Sequence, residues 1–266
     1  MTDNKPNRDG HRHIENGRLV YYQQTANQDF WENIWSRDIT PDYYRPFQAG
    51  SLFDFEKMFK RHLSKGKKIL EAGCGTAQLV VALRSNGYNC MGLDYAINAL
   101  RRARQIVGPL PLVAGDLMAI CVSDSSFDAV ISIGVVEHHI SGPEVFLQEL
   151  LRVLKPGGLL MISVPYFNPL RQWRAKHGAY QVDFSGLDFY QYAFPREEFC
   201  RILKSVGYKL ETTYSYAHKD TLVQEVHWLN ELPGFLKKFI LRVSKYVPYV
   251  NSEIGHMLMV VARKPV

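Results

Sequence analysis

The sequence predicts a doubly wound α/β domain, and three observations carry that expectation. From Lys67 onward, short apolar runs alternate with amphipathic stretches of helical period. The first run ends in a glycine turn, Glu71-Ala72-Gly73-Cys74-Gly75-Thr76, which leads directly into a helix-forming segment. A later run, Leu159 to Val164, is almost wholly apolar, as a parallel strand covered on both faces must be.

Composition sets the frame. A chain of 266 residues, 46% of them hydrophobic, can build one such domain with additions. No apolar run approaches the roughly 18 residues that span a bilayer. Met1 to Gly17 is polar, mixed in charge and without a signal-peptide core, so residues 1–20 are expected to form a disordered tail and the cytoplasm is the default location. The four cysteines, at 74, 90, 121 and 200, form no C-x-x-C pair and read as reduced thiols; His11 and His13 lack metal-binding partners, so no metal is expected. A net charge of +6 permits an anionic partner without demanding one.

Residues 21–66 are aromatic and helical in pattern. Trp31 and Trp35 stand four apart and share a helix face, which serves either to pack this segment on the domain or to cover a ligand as a lid. Ser51 to Leu63 continues as an amphipathic helix. The domain proper is expected over residues 67–266. After the glycine turn, Thr76 to Leu83 forms a helix that Asn86-Gly87 stops. Asn89 to Leu93 is the second strand, ending at Asp94; Ala96 to Val107 is a helix with a basic face. Pro111 to Ala114 is the third strand, Phe127 to Ile133 the fourth. Ser141-Gly142-Pro143-Glu144 opens the next helix with a capping-box pattern. Leu159 to Val164 is the fifth strand, followed by a long aromatic connection reaching Phe194. Pro195 to Val206 is a helix, Lys209 to Tyr216 a sixth strand and His256 to Ala262 the last. Between those two strands lies an insertion, residues 217–255. Within it Leu236, Phe239, Ile240, Val243 and Val247 share one helical face, and Lys238, Arg242 and Lys245 share another. That helix either packs its apolar face on the domain or lies on an anionic bilayer.

The glycine turn points to a nucleotide-like ligand, since a strand, a turn without side chains and a helix N-terminus leave room and free N–H groups. The alternative is a turn that uses glycine only for close packing. A dinucleotide site wants a third glycine where Gln78 stands. Glu71, two residues before Gly73, would repel a pyrophosphate and favour a cationic ligand. Asp94 stands at the tip of strand two, where a carboxylate meets ribose hydroxyls.

These features resemble motif I of the class I S-adenosylmethionine-dependent methyltransferases. Phe127-Asp128-Ala129-Val130, Glu137-His138 and the Leu154-Lys155-Pro156-Gly157-Gly158 turn are similar to the ubiquinone- and lipid-type members, and the resemblance covers residues 67 to 165. It implies a Rossmann-like seven-stranded sheet with the last strand antiparallel, an N-terminal helical lid and a helical insertion before the last strand. It implies S-adenosyl-L-methionine as cofactor, held by Glu71, Gly73, Cys74, Gly75, Asp94, Tyr95, Asp116, Leu117, Gly134 and Val135. The W-x-x-x-W pattern of Trp31 and Trp35 resembles the N-terminal helix of small-molecule methyltransferases related to the thiopurine enzymes, which implies that both border the cofactor. Asp116 has a turn-capping alternative. His138 is the candidate general base, titrating near neutrality; the alternative is that Glu137 and His138 only brace their loop. The expected activity is methyl transfer to an O, N or C atom of a small, partly apolar acceptor, with no nucleic-acid partner; peripheral membrane contact through the insertion and packing of that insertion on the domain stand as alternatives. Two rivals stand beside it: a nucleic-acid or protein methyltransferase, and a cofactor-binding scaffold without catalysis. Gly134-Val135-Val136-Glu137 lacks the N/D-P-P-Y pattern that exocyclic-amine enzymes carry after strand four.

Overall fold

The computed structural model describes residues 11–23, 25–36, 39–181 and 186–266. The described chain begins with order where a tail is expected. Strands β1 (His11–Glu15) and β2 (Arg18–Gln23) form an antiparallel hairpin. Residues 11–20 therefore correct the expected tail, while residues 1–10 lie outside the described ones. Two tertiary contacts explain the ordering. Leu19 and Tyr21 bury against Phe167, Tyr180 and Ala193. Arg12 reaches across the fold to the buried carboxylate of Glu225, at 2.6 Å. Burial pushes the Glu225 carboxyl up, but Arg12 and Arg171 outweigh it and hold the group below its usual range.

Three helices follow: α1 (Gln28–Ser36), α2 (Pro41–Gln48) and α3 (Glu56–His62). The main sheet starts with β3 (Lys68–Ala72), and α4 (Gln78–Ser85), β4 (Asn89–Asp94), α5 (Ile97–Val107) and β5 (Leu112–Ala114) extend it to one side. β6 (Phe127–Ile133), α6 (Glu144–Val153) and β7 (Leu154–Pro165) extend it to the other. The aromatic connection after β7 is not a loop. It contains α7 (Pro169–Lys176) and β8 (Asp188–Ala193), and β8 pairs with β2 to complete a three-stranded sheet with the hairpin. Period-two alternation in β8 is weak because both of its faces are only half-buried. Then come α8 (Arg196–Val206), β9 (Lys209–Tyr216), the inserted helices α9 (His218–Glu225), α10 (Trp228–Glu231), α11 (Gly234–Val243) and α12 (Pro248–Glu253), and β10 (Met257–Arg263).

The seven-stranded order is β5-β4-β3-β6-β7-β10-β9. β3 pairs in parallel with β4 and β6, whereas β10 runs antiparallel to both β7 and β9. Successive residues of the buried strands serve opposite faces: Ile69, Ile131 and Met161 join Tyr44, Phe59 and Leu83 in one core, while Leu70, Val130 and Leu160 join Leu147, Leu150 and Phe199 in the other. The capping box expected at Ser141 does not form. Gly142 turns with φ +97° and α6 starts at Glu144 without a side-chain cap.

Candidate cofactor site

The order places β3 and β6 next to each other at the centre of the sheet, with α4 and the turn after β6 leaving their C-terminal ends. A cleft of about 770 Å³ opens there, at the edge where open α/β sheets collect ligands. Every candidate cofactor residue lines it, and so does His138: Trp31, Trp35, Glu71, Gly73, Cys74, Gly75, Asp94, Tyr95, Asp116, Leu117, Gly134 and Val135.

The glycines are required by contact. Gly73 has φ +81°, and a Cβ there would stand 2.4 Å from Cγ2 of Val135. Gly75 lies under the indole of Trp35, which a Cβ would meet at 3.1 Å. Behind the turn, the Tyr44 hydroxyl donates to the Thr76 carbonyl at 2.7 Å, and Tyr43 bonds Thr76 and Gln78. Helix α2 thus holds the turn from outside the sheet. Nothing in the local sequence marks these two tyrosines, because their partners lie more than thirty residues away.

Both carboxylates of the turn are occupied in an instructive way. Asp94 accepts the Gly75 amide at 2.7 Å on Oδ2 and the Ala96 amide at 2.9 Å on Oδ1. Each oxygen keeps a second lone pair, so the side chain shapes the turn and still has acceptor capacity. Glu71 is buried, and its carboxyl is pushed well up, first by burial and further by the neighbouring Asp94, with a backbone hydrogen bond from Val80 opposing. Its Oε2 has no hydrogen-bond partner among the described residues. Amides expected to stand free for an anion are thus taken within the protein, Gly75 by Asp94 and both Gly73 and Cys74 by the Leu93 carbonyl. The cleft offers acceptors and suits a cationic or hydroxyl-bearing ligand.

Around the rim, Asp116 is exposed and its Oδ1 accepts the Met118 amide at 2.8 Å, so the turn-capping role is present. Leu117 beside it is buried. Cys74 and Cys90 are buried free thiols, whereas Cys121 is exposed and Cys200 half-buried. Helix α1 forms the cover. Trp31 and Trp35 stack with ring centroids 5.6 Å apart, and Trp31 meets His138 edge-on at 4.8 Å. The cover is tied down by Glu32, which accepts the Asn98 amide at the start of α5, and by Gln28, whose side chain donates to the Tyr95 carbonyl.

His138 departs from the expectation of titration near neutrality. Burial pushes it down to about 4, although a hydrogen bond with the Tyr190 carbonyl opposes that shift. Neutral His138 therefore carries its proton on Nδ1, donated to that carbonyl at 2.9 Å, and leaves the Nε2 lone pair as an acceptor. Next to it, Glu137 is fully buried with Oε2 unpartnered among the described residues, and burial lifts its carboxyl to about 8. Tyr190, supplied by β8, was legible only as part of an aromatic stretch.

Comparison with known proteins agrees with this architecture. Residues 70–162 match the family model of a methyltransferase domain. A demethylmenaquinone methyltransferase of Mycobacterium sp. (strain JLS) is 38% identical over 103 residues, 38% of this chain and 42% of that protein. A probable S-adenosylmethionine-dependent methyltransferase of Mycolicibacterium smegmatis is 27% identical over 160 residues, 59% of this chain and 58% of the other. The chain thus spans about half the length of these relatives. A putative methyltransferase in complex with the Haloferax volcanii Trm112 methyltransferase activator shares the fold with a TM-score of 0.60 at 20% identity, covering 90% of this chain and 97% of that one. Sheet order, glycine turn and sequence match coincide on one stretch: residues 70–162, within a Rossmann-like seven-stranded sheet, are similar to the methyltransferase domain.

Proposed function

We propose that this chain is an enzyme that moves a methyl group from S-adenosylmethionine to an O, N or C atom of a small, partly apolar acceptor. The observation that carries the reading is the buried Glu71 oxygen, unpartnered among the described residues, in a cleft floored by two obligatory glycines and covered by two stacked indoles. Such a cleft fits the cofactor. Glu71 supplies an acceptor for its ammonium group, Asp94 the remaining lone pairs for its ribose, and Leu117 an apolar wall for its adenine beside Asp116. The bound cofactor supplies a methyl group on a sulfonium, a good leaving group, so the chain's own task is positioning and exclusion of water. Trp31 and Trp35 do the excluding, and their π faces tolerate a nearby cation.

His138 is proposed as the acceptor-side residue. Its Nε2 stays unprotonated through the neutral range and accepts a hydrogen bond from a hydroxyl of the methyl acceptor. Apolar walls from Ile34, Val135, Phe146 and Tyr190 suit a ring compound, and a quinol related to demethylmenaquinone, the substrate that names one relative, is the acceptor class proposed. A lipophilic acceptor of this kind brings the protein into peripheral contact with a membrane. Free thiols, including an exposed one, fit the reducing cytoplasm; no helix among the described residues is long and apolar enough to cross a bilayer.

The test is turnover of the intact chain with methyl-labelled donor and a panel of hydroquinones, phenols and amines. Label in a hydroquinone supports the proposal. Donor binding without transfer to any acceptor would reduce the chain to a scaffold.

A further inference from the structure

Helix α11 is built inside out. It turns Lys237, Ile240 and Leu241 partly out of solvent, and Ser244, just past its end, is buried. Facing outward are Phe235, 77% exposed, Phe239, 62% exposed, and Val243, continued beyond the helix by Val247 and Tyr249. No residue of the helix is buried. Of the apolar face that the sequence defines, Leu236, Phe239, Val243 and Val247 are exposed and Ile240 alone is half-buried, so that face does not pack on the domain as a whole. A soluble domain does not gain from holding two phenylalanines and two valines in water along one ridge.

Charge says what covers the ridge. From Leu232 to Ser252 the chain carries Lys237, Lys238, Arg242 and Lys245 and no acidic residue. Lys238 and Arg242 are exposed beside the phenylalanines. Aromatic and aliphatic side chains flanked by basic ones along a surface helix match an interface-lying helix, with apolar groups in the acyl boundary and cations at anionic headgroups. The insertion leaves the C-terminal end of β9 and returns into β10, which runs antiparallel to it, so both attachments lie at the sheet edge that holds the cofactor cleft.

We propose that the ridge from Phe235 to Tyr249 docks this protein on an anionic lipid bilayer, presenting the cleft edge of the sheet to the membrane. The assignment of a membrane-borne acceptor rests on the functional reading above; the docking itself does not. Co-sedimentation with vesicles of phosphatidylcholine plus phosphatidylglycerol, against phosphatidylcholine alone, tests it on the full chain. Binding should favour the anionic vesicles by roughly 10-fold or more and weaken as salt rises. A Phe235→Ser/Phe239→Ser variant and a Lys238→Glu/Arg242→Glu variant should each lose about 10-fold or more in vesicle affinity, with S-adenosylmethionine affinity unchanged in the same samples. Vesicle binding equal in the parent and both variants, or none by the parent, would overturn the proposal. So would a concentration-dependent dimer that the phenylalanine variant abolishes, because a second copy would then be the occupant. Turnover of a water-soluble hydroquinone without vesicles reports separately on the methyl-transfer reading.

Discussion

The glycine turn after β3 and the helix α11 are both apolar, helix-linked segments, yet the fold treats them in opposite ways. Around the turn every apolar group is used: Ile69, Leu70 and Ala72 are buried, and Val135 presses so closely on Gly73 that no other residue fits. Along α11 Phe235, Leu236, Phe239 and Val243 stay in solvent. A hydrophobic pattern therefore states that a face will be covered, not by what. The turn is covered by the rest of the same chain; the ridge of α11 is left for something else. Polar groups show the same contrast. Those at the turn are desolvated and shifted, as with Glu71 and Asp94, whereas Lys238 and Arg242 remain in water.

Substitutions on the two sides should separate sharply. The largest effect is expected from Gly73→Ala, which adds a Cβ at positive φ and at 2.4 Å from Val135. Left-handed strain and overpacking together should cost about 2–5 kcal/mol of stability, read by denaturant titration. Adding Val135→Ala should recover part of it; no recovery would mean that the close approach is not the cause.

Next is Glu137→Gln. Burial lifts the carboxyl to about 8 in the folded protein, well above the usual carboxylate range. Folding therefore retains a proton that the unfolded chain releases, and this contribution to stability is present at low pH and lost as pH rises through that window. The glutamine variant has no such proton, so its stability relative to the parent should grow by roughly 2–4 kcal/mol between about pH 5 and about pH 8. A pH-independent difference would show that the side chain is solvated.

Asp94→Ala removes the partner of two backbone amides and the acceptor proposed for a ribose. Calorimetric titration with S-adenosylmethionine should show a loss of about 1–3 kcal/mol. Unchanged affinity in a folded variant would remove Asp94 from the binding set. Trp35→Ala is the milder counterpart on the cover, at about 1 kcal/mol, since one indole lost from a stacked pair leaves the cleft lined by the other. The smallest effect lies on the other side of the comparison. Phe239→Ser should change stability in buffer by less than about 0.5 kcal/mol, because the ring packs on little. A loss of several times that would mean α11 is held by contacts through this ring.

What the sequence by itself determined is the part governed by local rules. Strand and helix periodicity set the alternation from residue 67 onward. Glycine at positions needing positive φ marked the turn, and an acidic residue before it placed a carboxyl in the cleft. The residues proposed there, from Trp31 to His138, came together because they sit at the ends of consecutive elements on one sheet edge. Only the tertiary structure decided the rest. The N-terminal segment from His11 looks polar and unstructured, and folds because Glu225, over two hundred residues away, takes Arg12, and because β8 offers a paired edge. His138 has an ordinary imidazole in an ordinary motif; burial under Trp31 and beside Tyr190 moves it to about 4. The outward turn of α11 depends on which helix face meets the body, and periodicity is identical for a helix and for the same helix rotated about its axis. Burial and long-range pairing are properties of the assembled chain, and no window of sequence contains them.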